Sequence, residues 1–145
     1  MISQRRKNQR GGSALEMALF LPWYIFLFIG TFDWGFYAHA LISTESAARV
    51  AALYTSTSAA TAADSTNACI YANEELRIAS NVPTTPSCSS SPLVVTATSL
   101  TSTSADGQAA SQVTVQYTTI GLIPIPGLLE SSATFYRVVQ MRLRS

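Results

Sequence analysis

The side chains of this sequence that could carry out chemistry are few and scattered. The single histidine, His39, has no cysteine or acidic cluster at metal-ligand spacing, so we interpret it as a polar residue beside an apolar segment. Glu74 and Glu75 are adjacent in a predicted helix, where neighbouring side chains point in different directions. The sequence has no phosphate-binding glycine loop, serine elbow or zinc-protease motif. It therefore predicts no enzyme, no cofactor, no metal site and no small-molecule substrate.

The two cysteines, Cys69 and Cys88, are the next candidates for chemistry. They do not form a Cys-x-x-Cys pair, so neither a redox motif nor a zinc site is indicated. If the chain is exported, one disulfide is the favoured interpretation, with two unpaired thiols as the alternative. Closing a loop of this length would contribute about 3 kcal/mol to the stability of a small domain in the chain-entropy model.

Charge is distributed unevenly along the chain. Four of the nine basic residues lie in the first ten positions, namely Arg5, Arg6, Lys7 and Arg10. The remaining sequence has five basic residues against all eight acidic ones, so it offers no basic field for nucleic acid. A nucleic-acid arm is one interpretation of the N-terminal cluster, but before an apolar run such a cluster is typical of a membrane-topology signal.

An uncharged apolar run from Met17 to Phe32 predicts a membrane-spanning helix. At 1.5 Å per residue the run reaches about 24 Å, and extension over Ala14, Leu15 and Trp34 to Tyr37 matches a hydrocarbon core of about 30 Å. A buried helix of a soluble domain is the alternative, but the run is too long and aromatic for so small a domain. The basic residues before the run and the acidic Asp33 and Glu45 after it predict a cytoplasmic N-terminus.

Two residues within or beside the run are unusual. Pro22 removes a hydrogen bond to the carbonyl of Ala18 and predicts a kink. Glu16 places a carboxylate at the start of the span, where an ionisable group is costly and is a functional candidate. The alternative for Glu16 is a carboxylate favoured by the helix dipole in the hydrated first turn. The residue types alone leave both explanations open.

The sequence Arg10-Gly11-Gly12-Ser13-Ala14-Leu15-Glu16 resembles the prepilin cleavage signal of type IV pilin-like proteins. Cleavage between Gly11 and Gly12 would make Glu16 the fifth mature residue and is the favoured interpretation. Cleavage after Gly12, which would make Glu16 the fourth, is the alternative. Further stretches are similar to the TadE-like minor pilins, or pseudopilins, of the tight-adherence (Tad/Flp) pilus system: Leu21-Pro22, Gly30 to Gly35, Ala47 to Ala52, and Ser132 to Arg142. Two departures are the second glycine after the cleavage site and the absence of an aromatic residue directly after Glu16.

This resemblance implies a set of partners and a location. A membrane prepilin peptidase would remove the leader, and the mature helix would join other pilin and minor pilin subunits or the pilus assembly platform. By analogy with pilins, the Glu16 carboxylate would pair with the positively charged N-terminus of a neighbouring subunit and set the register. The expected location is the bacterial inner membrane, with the C-terminal domain periplasmic or extracellular, in support of pilus assembly and surface adhesion.

The predicted domains are a basic leader (1–11), a transmembrane helix (12–37), a helical stalk with a Ser/Thr/Ala linker (38–63) and an extracytoplasmic domain (64–145). We expect an α+β fold in which a second helix, from about Asp64 to Ser80, packs on a three-stranded antiparallel sheet. The predicted strands are Leu93 to Ser99, Gln112 to Thr118 and Ala133 to Leu143. Asp106-Gly107 predicts a turn, while Pro124, Pro126 and Gly127 predict an irregular connection.

Two alternatives concern the fate of the apolar segment. Ala38-His39-Ala40 is a small-x-small site, so an ordinary signal peptidase could release a soluble secreted domain after Ala40. Against this, the apolar region is longer than a usual signal peptide and begins with Glu16. An anchored hydrolase is a further alternative, for which no residue pattern speaks.

Overall fold

The predicted α+β class is confirmed by a computed structural model, which describes residues 9–79, 81–100, 107–121 and 132–144. The elements are α1 (Gln9–Thr55), α2 (Ser65–Glu75), β1 (Ser89–Ser90), β2 (Leu93–Leu100), β3 (Ala110–Thr118) and β4 (Thr134–Arg142). The chain divides into two compact units, Met1–Phe36 and Tyr37–Ser145. We call the second unit the head.

The sheet has four strands in the order β1-β2-β3-β4, all antiparallel, so the prediction of three strands is wrong. The additional strand, β1, lies between Pro86 and Pro92, where no strand was predicted. It consists of two serines, which pair with Val94 and Leu93 of β2. Serine has no marked preference for strands, so this strand exists because of its pairing with β2, and the local sequence does not indicate it.

The three longer strands lie within one or two residues of their predicted bounds. In β3, Val113, Val115 and Tyr117 are buried while their neighbours are partly exposed, as the alternation of apolar and polar residues predicted. The hydroxyl of Tyr117 donates a hydrogen bond to Oδ1 of Asn81 at 2.6 Å. Burial raises the pKa of this tyrosine above its ordinary value, although the bond to Asn81 acts in the opposite direction.

Helix α2 begins at a side-chain cap and ends earlier than predicted. The Asp64 carboxylate accepts hydrogen bonds from the backbone N–H of Asn67 and from its side chain, which lower the pKa of Asp64. The helix ends at Glu75, five residues before the predicted Ser80, because Leu76 leaves helical geometry at φ −88° and ψ 5°. Leu76 is nevertheless buried in the core. The sequence predicted a longer helix because Leu76 is an apolar residue of the core, although it lies beyond the helix end.

The predicted disulfide is present. Cys69 of α2 is bonded to Cys88, with a Cα–Cα distance of 5.7 Å and a sequence separation of 19. Both residues are buried in the same core as Leu93 and Val95 of the sheet. The disulfide therefore joins the second helix to the segment that leads into β1.

The C-terminal part of α1 forms one wall of the head. Four alanines of this part are fully buried in the same cluster as the sheet residues: Ala47, Ala48, Ala51 and Ala52. Because an alanine side chain is small, the helix backbone can approach the neighbouring side chains closely. The helix continues through the first part of the predicted stalk and ends at the buried Thr55.

Short turns follow α1 in the Ser/Thr/Ala segment. The hydroxyl of Thr61 lies within hydrogen-bonding distance of the hydroxyls of Thr57 and Ser58, at 3.0 and 3.1 Å, and Ala62 is fully buried. Gly107 has a φ of 71°, which favours glycine, in agreement with the turn predicted there. Its predicted partner Asp106, and the connection with Pro124, Pro126 and Gly127, lie outside the described residues.

Candidate functional site: the N-terminal helix

The first part of α1 exposes an unusual amount of apolar surface. Of the described helices, α1 alone is long and apolar enough to cross a membrane. Its mean hydropathy is 1.7, and none of its most apolar window is buried. Its large exposed apolar residues are Leu15, Met17, Leu19, Phe20, Leu21, Trp23, Tyr24, Ile25, Phe26, Leu27, Phe28, Phe32 and Trp34. Monomeric soluble proteins rarely expose a contiguous apolar surface of this size, so this helix is compatible with a single-pass membrane protein.

The helix continues through Pro22. Proline has no N–H, so the bond to the carbonyl of Ala18 cannot form. In hydrocarbon an unpaired carbonyl is tolerated where neighbouring groups or partner helices satisfy it. Further along the same helix, Trp23 contacts Phe26 and Phe28 contacts Phe32, with ring centroids 6.4 Å apart in each pair.

Both glycines of the expected cleavage site lie within α1, which begins at Gln9. A β-carbon added at Gly12 would have nothing within 4 Å, so packing in the chain gives no reason for glycine there. Glycine in a helix interior costs about 1 kcal/mol relative to alanine, and two adjacent glycines weaken the helix locally. Local unwinding of this turn would expose the Gly11–Gly12 bond to a peptidase.

Glu16 lies one helical turn after Gly12 and is exposed. A separation of four residues corresponds to about 6 Å along the helix axis. No ion pair of Glu16 occurs within the described residues, where the ion pairs are Glu45–Arg49 and Glu74–Arg77. Because the carboxylate is exposed, a cationic group outside the chain could reach it.

Asp33 is the candidate residue whose surroundings were hardest to predict from the sequence. It was predicted to be an acidic residue outside the membrane, but its exposed fraction is 2%, whereas the adjacent Trp34 is 76% exposed. Its Oδ1 atom is buried and has no hydrogen-bond partner among the described residues. The residues beside Asp33 do not predict its burial, because a single charged residue between aromatic residues is equally typical of a membrane–water interface.

The other residues considered for chemistry remain apart. His39 is exposed on α1. Glu74 and Glu75 are both exposed on α2, where Glu75 accepts a hydrogen bond from Ser46 and Glu74 pairs with Arg77. Within the described ranges, no group of three or more His, Cys, Asp or Glu residues could hold a metal ion.

Taken together, the fold and the exposed helix define a class of protein: a small α+β head preceded by one helix capable of crossing a membrane. A family model described as TadE-like protein matches residues 11–53. The match covers the expected cleavage bond, Glu16, the apolar run and the buried alanines, and it confirms the resemblance to the TadE-like family over that segment. No curated protein and no solved structure matches the chain.

Proposed function

We infer that the protein is a minor pilin, or pseudopilin, that supports assembly of a tight-adherence pilus and thereby surface adhesion. The observation that carries this inference is the TadE-like match at residues 11–53, which falls on an exposed apolar helix with a carboxylate at its start. The role is structural and not catalytic. Its partners are other pilin subunits and the assembly platform.

A prepilin peptidase is the proposed processing enzyme. It would cut between Gly11 and Gly12, in the turn that the two glycines weaken. The new amino group of Gly12 would then lie about one turn from Glu16, and the pair could exchange partners with the same groups of a neighbouring subunit. Neutralising both charges would allow the helix to move from the membrane into an assembly.

The proposed location is the inner membrane, with the N-terminus cytoplasmic and the head outside. Three features support this orientation: the basic residues before the apolar run, Trp34 exposed at its outer end, and a disulfide in the head. Disulfides persist in oxidising compartments, which is what the periplasm provides.

The competing function, a secreted soluble domain released after Ala40, finds less support. Ala40 lies inside a continuous helix and is buried in the core cluster of the head. Cleavage after Ala40 would therefore remove one residue of that core cluster, together with the part of α1 that precedes it.

Complementation of a deletion strain tests the proposed function. Cells without the chain should lose tight-adherence pili, and the wild-type chain should restore them. A variant in which residues 1–37 are replaced by a cleavable signal peptide should export the head without restoring pili. Normal piliation with that soluble head would refute a role for the helix in assembly.

A further inference from the structure

Among the described residues, the last strand of the sheet, β4, has a paired strand on one side only, which is β3. On the other side a backbone hydrogen bond occurs just past the end of β4, where the N–H of Arg144 donates to the carbonyl of Ser56 at 2.9 Å. Edge strands present a row of backbone N–H and C=O groups that can template pairing with another chain, and proteins usually protect such edges. At nine residues, β4 is long for an unprotected edge.

The register shows which backbone groups of β4 face outward. The N–H of Thr119 donates to the carbonyl of Ala133 at 2.8 Å, and the N–H of Leu143 donates to the carbonyl of Ala109 at 3.1 Å. In an antiparallel pair of strands, residues whose backbone groups form hydrogen bonds to the neighbouring strand alternate with residues whose backbone groups do not. The odd-numbered residues of β4 therefore pair with β3, while the backbone groups of Tyr136, Val138 and Gln140 point away from it.

Arg137 reaches one of these outward groups. Its side chain lies on the apolar face of β4, where Val115 is its register partner, and it interrupts the apolar alternation of that face. Its Nη1 atom donates a hydrogen bond at 3.0 Å to the carbonyl of Tyr136. No carboxylate pairs with Arg137 within the described ranges, where the ion pairs are Glu45–Arg49 and Glu74–Arg77. The Arg137 guanidinium thus binds the Tyr136 carbonyl, which is one of the acceptors that an incoming strand would need.

A neutral carbonyl is a weaker partner for a guanidinium than a carboxylate, because charge-assisted hydrogen bonds are about twice as strong as neutral ones. A strand with a carboxylate opposite Arg137 would draw the guanidinium away and free the Tyr136 carbonyl for backbone pairing. A strand with a neutral residue at that position would have to displace the Arg137 guanidinium from the carbonyl and would form no ion pair with it in return. The edge is therefore selective for charge.

We propose that the free edge of β4 is a docking site for an acidic, extended segment of another protein, which adds as a further strand and pairs its carboxylate with Arg137. A second copy of this chain is a poor occupant. Its four strands contain no acidic residue, so none of them offers a carboxylate to Arg137. The partly exposed side chains of Tyr136 and Val138, at 57% and 56%, provide a surface beside the added strand.

The probe is a set of three synthetic peptides added to the full chain in detergent micelles. Each peptide alternates Thr and Val over nine residues, the length of β4, and carries Glu, Gln or Lys at the central position. Fluorescence anisotropy gives the affinity, and residue-resolved hydrogen exchange gives the location. We expect the Glu peptide to bind about ten times more tightly than the Gln peptide, as one gained ion pair of this kind allows. The amides of Tyr136, Val138 and Gln140 should exchange more slowly when it is bound.

Two variants separate the edge from the side chains. Val138→Pro removes an outward N–H without removing a bond to β3, and it should abolish binding. Arg137→Glu should reverse the preference, so that the Lys peptide binds best. A urea midpoint close to that of the wild type shows that each variant is folded, and Gln140→Pro replaces Val138→Pro if the latter unfolds.

Four results would overturn the proposal. They are equal binding or no binding of the three peptides, retained binding by the proline variant, an unchanged preference in Arg137→Glu, and concentration-dependent dimerisation of the chain that protects the same amides. The last result would assign the edge to a second copy. None of these outcomes depends on whether the chain is part of a pilus.

Discussion

The hydroxyl of Ser111 in β3 lies 2.7 Å from the hydroxyl of Thr55, the last residue of α1, and 2.9 Å from the carbonyl of Ala62. All three groups belong to the head, and both side chains are fully buried. This contact joins the end of the long helix to the centre of the sheet across 56 residues of sequence.

Removing this hydroxyl should destabilise the head. Ser111→Ala leaves the buried hydroxyl of Thr55 and the carbonyl of Ala62 with one partner fewer, and an unsatisfied buried group costs about 1–3 kcal/mol. Urea unfolding in micelles, followed by the near-ultraviolet signal of the head tyrosines, measures the loss. Ser99→Ala is the matched control, because Ser99 is the cross-strand partner of Ser111 but is exposed. An equal effect of the two substitutions would show that the contact contributes nothing.

The disulfide between Cys69 and Cys88 should supply a large share of the stability of the head. The double substitution to alanine should lower the free energy of unfolding by about 3 kcal/mol, since the loop between the cysteines is then open in the unfolded chain. A reducing agent should lower the urea midpoint of the wild type to a similar extent and leave the double variant unchanged. A wild type that is insensitive to full reduction would contradict the prediction.

An element of this fold could be predicted from the sequence where its signal comes from residues that are close together along the chain. The apolar run, the second helix and the three long strands were predictable because their periodicity is local and is reinforced by burial on one face. Strand β1 was not predictable, because two serines acquire strand geometry only from their pairing with β2. The hydrogen bond between Arg137 and the carbonyl of Tyr136 was not predictable either, because it depends on the side-chain conformation of Arg137.

The residues of the candidate site also differ in whether local spacing along the chain predicts them. Glu16, Pro22 and the two glycines could be found from their spacing along one helix. Asp33 could be seen as a charge near the end of the span, but a single acidic residue does not encode that its side chain is 2% exposed. Its unpartnered oxygen is therefore a finding of the structure alone.

Neutralising Glu16 should impair assembly without affecting export. Glu16→Gln retains the shape of the side chain and removes the charge that would pair with the N-terminus of a neighbouring subunit. Truncating one partner of a buried charge pair costs about 2 kcal/mol or more, which corresponds to more than a tenfold loss of incorporation. Quantitative immunoblots of sheared pili and of membranes measure it.

Glu74→Gln is the control for the Glu16 experiment. It makes the same chemical change at an exposed carboxylate of the head, where an ion pair with Arg77 is worth little. Incorporation of this variant should be normal. If Glu16→Gln were incorporated as well as Glu74→Gln, the Glu16 carboxylate would have no role in subunit register.

The mature N-terminus is the most direct test of the account, because every functional step assumes that the apolar helix remains in the finished protein. Intact-mass and N-terminal peptide analysis of the protein purified from its own cells should identify Gly12 as the first residue, in the membrane or pilus fraction. A soluble product that begins at Leu41 would contradict the account, since it would lack Glu16 and the entire apolar segment.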